Sequence, residues 1–218
     1  MRAQLVAAVR AVAVFTVLLG LAYPLAVTLI SQAAFRDEAD GSLVRRDGVV
    51  VGSELLGQTF TSPAYFHGRP SAAGAGASGS GIEVLDDSGE PTGDRVPASA
   101  DDLSSAASGA SHLGPTNEDF LATVDERIAA YRAENGLDDG DLVPVDAVTA
   151  SGSGVDPQIS VANARLQAAR VADARGISSD DVLALIDEHT TGRALGVLGE
   201  EGVDVLDLNL ALDAAGRR

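Results

Sequence analysis

The 218-residue chain has no cysteine, no tryptophan and one methionine, and its 15 basic residues are all arginine. Each absence removes a class of chemistry. Without cysteine there are no disulfides, thiolate zinc sites or cysteine nucleophiles. Without lysine there is no GxxxxGK[ST] phosphate loop and no Schiff-base lysine, so the commonest ATP-hydrolysing machinery is missing. Aromatic residues make up 4% of the chain, too few for a stacking platform for single strands. Cations are scarce as well: 32 acidic residues leave a formal charge of −17, which repels nucleic-acid phosphates.

What is present begins with a long apolar run. Between Arg10 and Arg36 no residue is charged, and the 25 residues from Ala11 to Phe35 are mostly Ala, Val, Leu and Ile. As a helix that run rises about 37 Å, enough for a hydrocarbon core of about 30 Å with some tilt. Pro24 should bend it or mark a weak point, because proline removes a backbone donor. The domain plan is therefore an N-terminal anchor over residues 1–35, with its span at about 11–33, followed by one domain over 36–218. A cleaved leader is the competing reading, since Ser31-Gln32-Ala33 resembles a processing site, but secretory apolar regions are usually about 7–15 residues long. Arg2 and Arg10 precede the span while Asp37, Glu38 and Asp40 follow it. Positive flanks stay cytoplasmic, so the plan places the N-terminus inside and the main domain outside a plasma membrane. That domain carries 13 arginines against all 32 acids. Gly20 and Ala22 would allow close approach of a neighbouring helix.

Residues 36–70 read as short extended pieces, with Val49-Val50-Val51 after the turn signal Asp47-Gly48 and Leu55–Phe60 following. From Ala72 to Ala110 the chain is rich in Gly, Ser, Ala and Asp, and it reads as a flexible insertion over about 74–110. Thr116 with Asp119 suggests a capping-box start to a helix carrying Phe120, Leu121, Val124, Ile128 and Tyr131 on one side and stopping at Asn135-Gly136. Leu142 to Ala150 suggests an edge strand. Ser160 is placed to cap a helix towards Ala174 that ends at Gly176. Ser178 and Asp181 start another, with Ile177 stapled on Val182 and an inward stripe of Val182, Leu185, Ile186 and His189. Val203-Asp204-Val205 and Leu206–Leu212 alternate as a strand, although the latter also suits a helix. The fold class is α+β (or α/β), an extracytoplasmic domain on a single N-terminal transmembrane helix.

Few constellations carry chemistry. His67, His112 and His189 are far apart and lack the spacing of a metal site, which favours structural histidines. Gly74–Gly81 has neither a preceding strand nor a following helix, so it reads as a linker and not as a dinucleotide turn. Ser151–Ser160 combines a Gly-Ser turn, an Asp-Pro bend and a helix N-terminus. Such a terminus can hold an anion, but Asp156 beside it opposes one, so a capped structural corner or protein contact is the better reading.

Four segments together form a pattern: Gly57-Gln58-Thr59-Phe60 leading into Pro63–Ala72; Ser111-His112-Leu113-Gly114-Pro115-Thr116-Asn117; Ser151–Ser160 with Arg170–Gly176; and Leu195-Gly196-Val197-Leu198-Gly199-Glu200 with Leu208–Asp213. In this order behind one N-terminal span they resemble the C chain of the Kdp potassium-transporting P-type ATPase. Two departures are visible. Gln158 stands where members of the family often carry His or Asn, and Ile82 to Leu103 looks like an insertion. The resemblance implies a subunit that is not itself an enzyme, belonging to a high-affinity, ATP-driven potassium importer and assisting its assembly. Its implied partners are an ion-conducting A chain, an ATP-hydrolysing B chain and a small F chain, together with the membrane and no nucleic acid. It implies no firmly bound cofactor and no metal, with ATP met only together with the B chain. The family role of raising the B chain's affinity for ATP fits an exterior domain badly, whereas a cap over the A chain's ion entrance agrees with the topology. Gln58, Tyr65, Phe66, Arg69, Asn117, Asp156 and Gln158 are the candidate partner-contact or structural residues. A membrane-anchored binding or sensor domain acting alone is the alternative.

Overall fold

A computed structural model describes residues 1–46, 48–73, 82–85, 91–96 and 107–215, and it divides into two units, Met1–Leu43 and Val44–Arg218. The first unit is almost entirely helical. Helix α1 (Arg2–Val17) passes through a π-helical turn (Leu18–Ala22) into α2 (Tyr23–Ala34), and a single turn α3 (Arg36–Ala39) follows. Pro24 accounts for the π turn. Its ring cannot donate to the Gly20 carbonyl, and the wider turn lets Tyr23 N–H reach back to Leu18 O. Residues Arg2–Ala34 form a 33-residue stretch whose most apolar window has a mean hydropathy of 2.4. That stretch is long and apolar enough to cross a membrane, and its apolar side chains lie exposed throughout.

The second unit mixes helices and short strands. In chain order it contains β1 (Leu43–Arg46), β2 (Val49–Ser53), β3 (Ile82–Leu85), β4 (Pro91–Val96), α4 (Glu118–Asn135), α5 (Val145–Val148), β5 (Gln158–Ile159), α6 (Val161–Arg175), α7 (Ser179–Glu188), β6 (Thr190–Thr191), β7 (Gly202–Asp204) and α8 (Val205–Ala215). A three-stranded antiparallel sheet of order β5-β7-β6 pairs Ile159 with Val203 and Thr190 with Val203. Helices α6, α7 and α8 gather on it. Their apolar faces meet Ile159, Val203, Phe60, Tyr65 and Phe66 in one core that includes Val171, Val182, Ile186, Leu208 and Leu212. Burying a side chain of that size contributes about 1.5–3 kcal/mol, so these side chains are the main favourable term for the unit.

The capping chemistry of α6 and α7 follows the sequence. Ser160 Oγ accepts from Asn163 N and Ser178 Oγ from Asp181 N, while Gly136 and Gly176 close α4 and α6 in the left-handed conformation. Ile177 packs on the core beside the buried Val182.

Two expectations are corrected, and the structure adds detail to two others. Asn117 and not Thr116 caps α4, because Asn117 Oδ1 accepts from Phe120 N at 2.9 Å. Leu142–Ala150 is no strand; Pro144 starts the single turn α5, in which only Val148 is buried. Ile82–Leu85 and Pro91–Val96 pair as an antiparallel hairpin inside the stretch read as a flexible insertion, while Gly74–Gly81 and residues 86–90 and 97–106 lie outside the described residues. Leu206–Leu212 is helical: Val205, Leu208, Asn209 and Leu212 are buried at the i, i+3, i+4, i+7 spacing of a helix face. Asp204 caps it by accepting from Asp207 N at 3.0 Å.

Candidate functional site

Four of the residues singled out from the sequence, Gln58, Tyr65, Phe66 and Arg69, lie on the segment from Gly57 to Ser71, which packs against α6 and α8. Asp156 and Gln158 adjoin it through Arg69, whereas Asn117 stands apart as the cap of α4. The backbone of that segment belongs to no strand, so its polar groups need partners from side chains. Two buried amides supply them. Asn209 Oδ1 accepts from Phe66 N at 2.8 Å and Asn209 Nδ2 donates to Phe66 O at 3.0 Å. One residue on, Gln167 Oε1 accepts from His67 N at 2.8 Å and Gln167 Nε2 donates to His67 O at 3.1 Å. Each amide reproduces the paired donor and acceptor of a strand neighbour, so α8 and α6 hold the segment as two rungs of a sheet would. Between them Phe66 is fully buried.

Arginines bond three further carbonyls. Arg170 donates to Pro63 O at 2.6 Å and Tyr65 O at 3.0 Å, and Arg175 Nε donates to Ala64 O at 2.6 Å. Burial holds the Arg170 guanidinium below its ordinary value, partly offset by Glu134 and Tyr131. Tyr65 Oη donates to Asp213 at 3.0 Å, and its ring stacks beneath the Arg175 guanidinium at 4.6 Å. Burial, followed by the Asp213 charge, pushes the Tyr65 hydroxyl up to about 12, so it stays a donor at any physiological pH.

The second cluster is the Ser151–Ser160 corner. Arg69 Nη1 donates to Asp156 Oδ2 at 2.7 Å, Ser71 Oγ to Gly154 O at 2.7 Å, and Gly57 N to Val155 O at 2.8 Å. Gly57 is required sterically: a Cβ there would stand 2.3 Å from Asp156 O. Gln158 is exposed, pairs with Asp204 across β5 and β7, and bonds Asp156 Oδ1 through its N–H at 3.2 Å. Asp146 already places a carboxylate at the start of α6, accepting from Ser160 N and Ser160 Oγ at 2.8 Å each and from Asn163 Nδ2 at 3.0 Å, and Asn163 N bonds Ser160 Oγ.

A small cavity of about 150 Å³ separates α4 from α6 and is lined by His67, Arg127, Tyr131, Glu134, Asn163 and Gln167. His67 bridges its edge, with Nδ1 at 2.9 Å from Glu134 and Nε2 at 2.9 Å from Ser62 O. The hydrogen bond from His67 draws the Glu134 carboxyl below its ordinary range against the opposing effect of burial. Tyr131 Oη donates to Asn163 Oδ1 at 2.8 Å, and burial raises its hydroxyl. Each of these polar side chains bonds at least one other protein group. Among the described residues no cluster of three or more His, Cys, Asp or Glu is arranged to hold a metal.

The candidates therefore separate by exposure. Gln58, Tyr65 and Phe66 are buried, Arg69, Asn117 and Asp156 are partly buried, and Gln158 alone is exposed. Sequence reasoning missed Asn209, Gln167 and Asp146, which hold the site together. For Asn209 a signal was present, since it falls between Leu208 and Leu212 on a buried helical face.

Comparison with known proteins finds likeness in sequence over nearly the whole chain. The family described as K+-transporting ATPase, c chain, matches residues 5–214. The Potassium-transporting ATPase KdpC subunit of Mycobacterium tuberculosis is 52% identical over 213 residues, covering 98% of this chain and 99% of its own. The subunit of the same name from Caulobacter vibrioides is 52% identical over 201 residues, covering 92% of this chain and 87% of its own. That of Rhodospirillum rubrum is 47% identical over 201 residues, with 92% and 90% covered. The chain belongs to the family of C chains of the K+-transporting ATPase.

Proposed function

We propose that the chain is the non-catalytic C subunit of a high-affinity, ATP-driven potassium uptake complex, held in the cell membrane by Arg2–Ala34 with its second unit outside the cytoplasm. The observation that carries this reading is the likeness over 98% of the chain to potassium-ATPase C subunits. The flanking charges support the orientation: Arg2 and Arg10 lie before the apolar helix and Asp37, Glu38 and Asp40 after it. The partners are the ion-conducting A chain, the ATP-hydrolysing B chain and the small F chain. ATP binds to the B chain and meets this chain only through the assembly.

Two modes of assistance follow. In one, the subunit raises the B chain's affinity for ATP through its single helix. In the other, which the topology favours, the acidic domain caps the A chain's ion entrance and enriches potassium by its field, without coordinating the ion. Pull-down of the intact chain from membranes tests the assembly, and two much larger membrane proteins are expected with it. Reconstituting the pump with and without the chain separates the modes. A changed potassium affinity supports the cap, and a changed ATP affinity alone supports the helix route.

A further inference from the structure

Helix α4 is held differently from α6, α7 and α8. Of its 18 residues only Tyr131 and Asn135 are buried, and none belongs to the core cluster that gathers the other three helices. Apolar burial therefore contributes little to its docking, and polar ties carry much of it. Tyr131 Oη donates to Asn163 Oδ1 at 2.8 Å, Arg170 Nε to Asn135 Oδ1 at 3.0 Å, and Arg127 Nη1 to Val148 O at 3.1 Å. A further tie joins Glu134 to His67, and it alone of these depends on a proton that can leave near neutral pH.

Both ring nitrogens of His67 face acceptors. Nε2 lies 2.9 Å from Ser62 O, which can only accept, so Nε2 carries a hydrogen. Nδ1 lies 2.9 Å from Glu134 Oε1. A neutral imidazole has one N–H, so beside an ionised carboxylate one of the two contacts would set lone pair against lone pair. The geometry is satisfied only when the pair holds one more proton, and the lowered Glu134 carboxyl places it on the ring. His67 is pinned on its own side, because Gln167 bonds both its N–H and its C=O. Glu134 is the movable partner, with 40% of its side chain exposed and able to regain water. The charged and titratable groups around the pair are Arg127 and Tyr131 of α4 and Arg170 of α6, with Asp146 of α5 acting on Tyr131. Near neutrality the guanidinium groups keep their charge and the raised Tyr131 hydroxyl keeps its proton, so neither replaces the proton of the pair.

We propose that His67 and Glu134 form a proton-operated latch on α4. While they share the proton, the helix is fastened to the segment from Gly57 to Ser71. When the proton passes to solvent, Glu134 swings outward and α4 loosens over the cavity that separates it from α6. The latch does not depend on which chains the protein assembles with.

The test follows amide hydrogen exchange in the intact chain in detergent at about pH 6.5 and about pH 9, with α6 of the same molecule as reference for the intrinsic rise in rate. Residues 128–135 should lose protection about tenfold or more relative to α6 on the alkaline side. In Glu134→Gln the amide can accept from a protonated ring or donate to a neutral one, so the ratio should be the same at both pH values. Nitrogen-15 spectra of His67 in the parent give a second readout. Both nitrogens should carry hydrogen at the lower pH, and Nε2 alone at the higher. An unchanged ratio in the parent, a change that persists in Glu134→Gln, a ring already neutral at about pH 6.5, or an alkaline ring with its hydrogen on Nδ1 would each overturn the latch.

Discussion

Tyr65 and Asp213 lie 148 residues apart and share a hydrogen bond of 3.0 Å. The same carboxylate receives Arg46 and Arg175 at 3.0 Å each, so it ties β1, the Gly57–Ser71 segment and α6 to the end of α8. Removing its charge leaves two guanidinium groups and a hydroxyl facing an amide. Asp213→Asn should therefore cost about 2–3 kcal/mol, read as a lowered urea midpoint. Arg165→Ala breaks the exposed pair with Asp187 and should cost about 0.5 kcal/mol or less in the same assay.

Gly57 marks where the site segment touches the Asp156 corner. Gly57→Ala places a methyl 2.3 Å from Asp156 O, and backbone on both sides must shift to admit it. A loss of about 3 kcal/mol is expected, together with weaker holding of the Arg69–Asp156 pair. At Gly140 an added Cβ meets nothing within 4 Å, so Gly140→Ala should leave thermal stability within about 0.5 kcal/mol of the parent.

Gln58 is 8% exposed, and both its side-chain Oε1 and Nε2 are buried with no hydrogen-bond partner. Orphaned amide atoms cost stability, whereas a methionine of similar volume carries none. Gln58→Met should raise the unfolding midpoint, by about 1 kcal/mol in stability, with co-purification of the larger chains unchanged. A stability loss of that size would instead mean that the amide is hydrogen-bonded within the folded chain.

Elements with local signals were readable directly. The stop of α4 at Gly136 and both ends of α6 rest on caps that bond within a few residues of themselves, so their chemistry is written consecutively. Where two readings share one pattern, the sequence could not choose. Leu206–Leu212 alternates like a strand, and only the position of the core makes Asn209 an inward residue of a helix. α5 depends on Val148 finding a buried place, which a proline-containing apolar run does not announce. The site was legible as a set of segments but not as a mechanism of assembly. Asn209, Gln167 and Asp146 act on backbone 14 to 143 residues away, a distance over which sequence spacing carries no signal.

Asp204 gives the fold a pH dependence of calculable sign. Burial, reinforced by the carboxylates of Asp207 and Glu54 and opposed by N–H groups at the start of α8, raises its carboxyl from 3.8 to about 6. Between these values the folded chain keeps a proton that the unfolded chain has released. The folded state then binds more protons, so stability falls as pH rises through that window and is level above it. Asn in its place still offers an oxygen to Asp207 N–H and has no charge to desolvate. Asp204→Asn should thus be more stable than the parent above pH 6, by on the order of 2 kcal/mol once solvent screening is allowed for, and indistinguishable from it near pH 3.5. Glu134 has the opposite sign, because the His67 hydrogen bond lowers its carboxyl and that stabilisation is lost as pH falls through the lowered value. Urea midpoints of the parent, Asp204→Asn and Glu134→Gln between pH 3.5 and 7.5 separate the two groups. The first variant diverges from the parent as pH rises, and the second converges on it as pH falls.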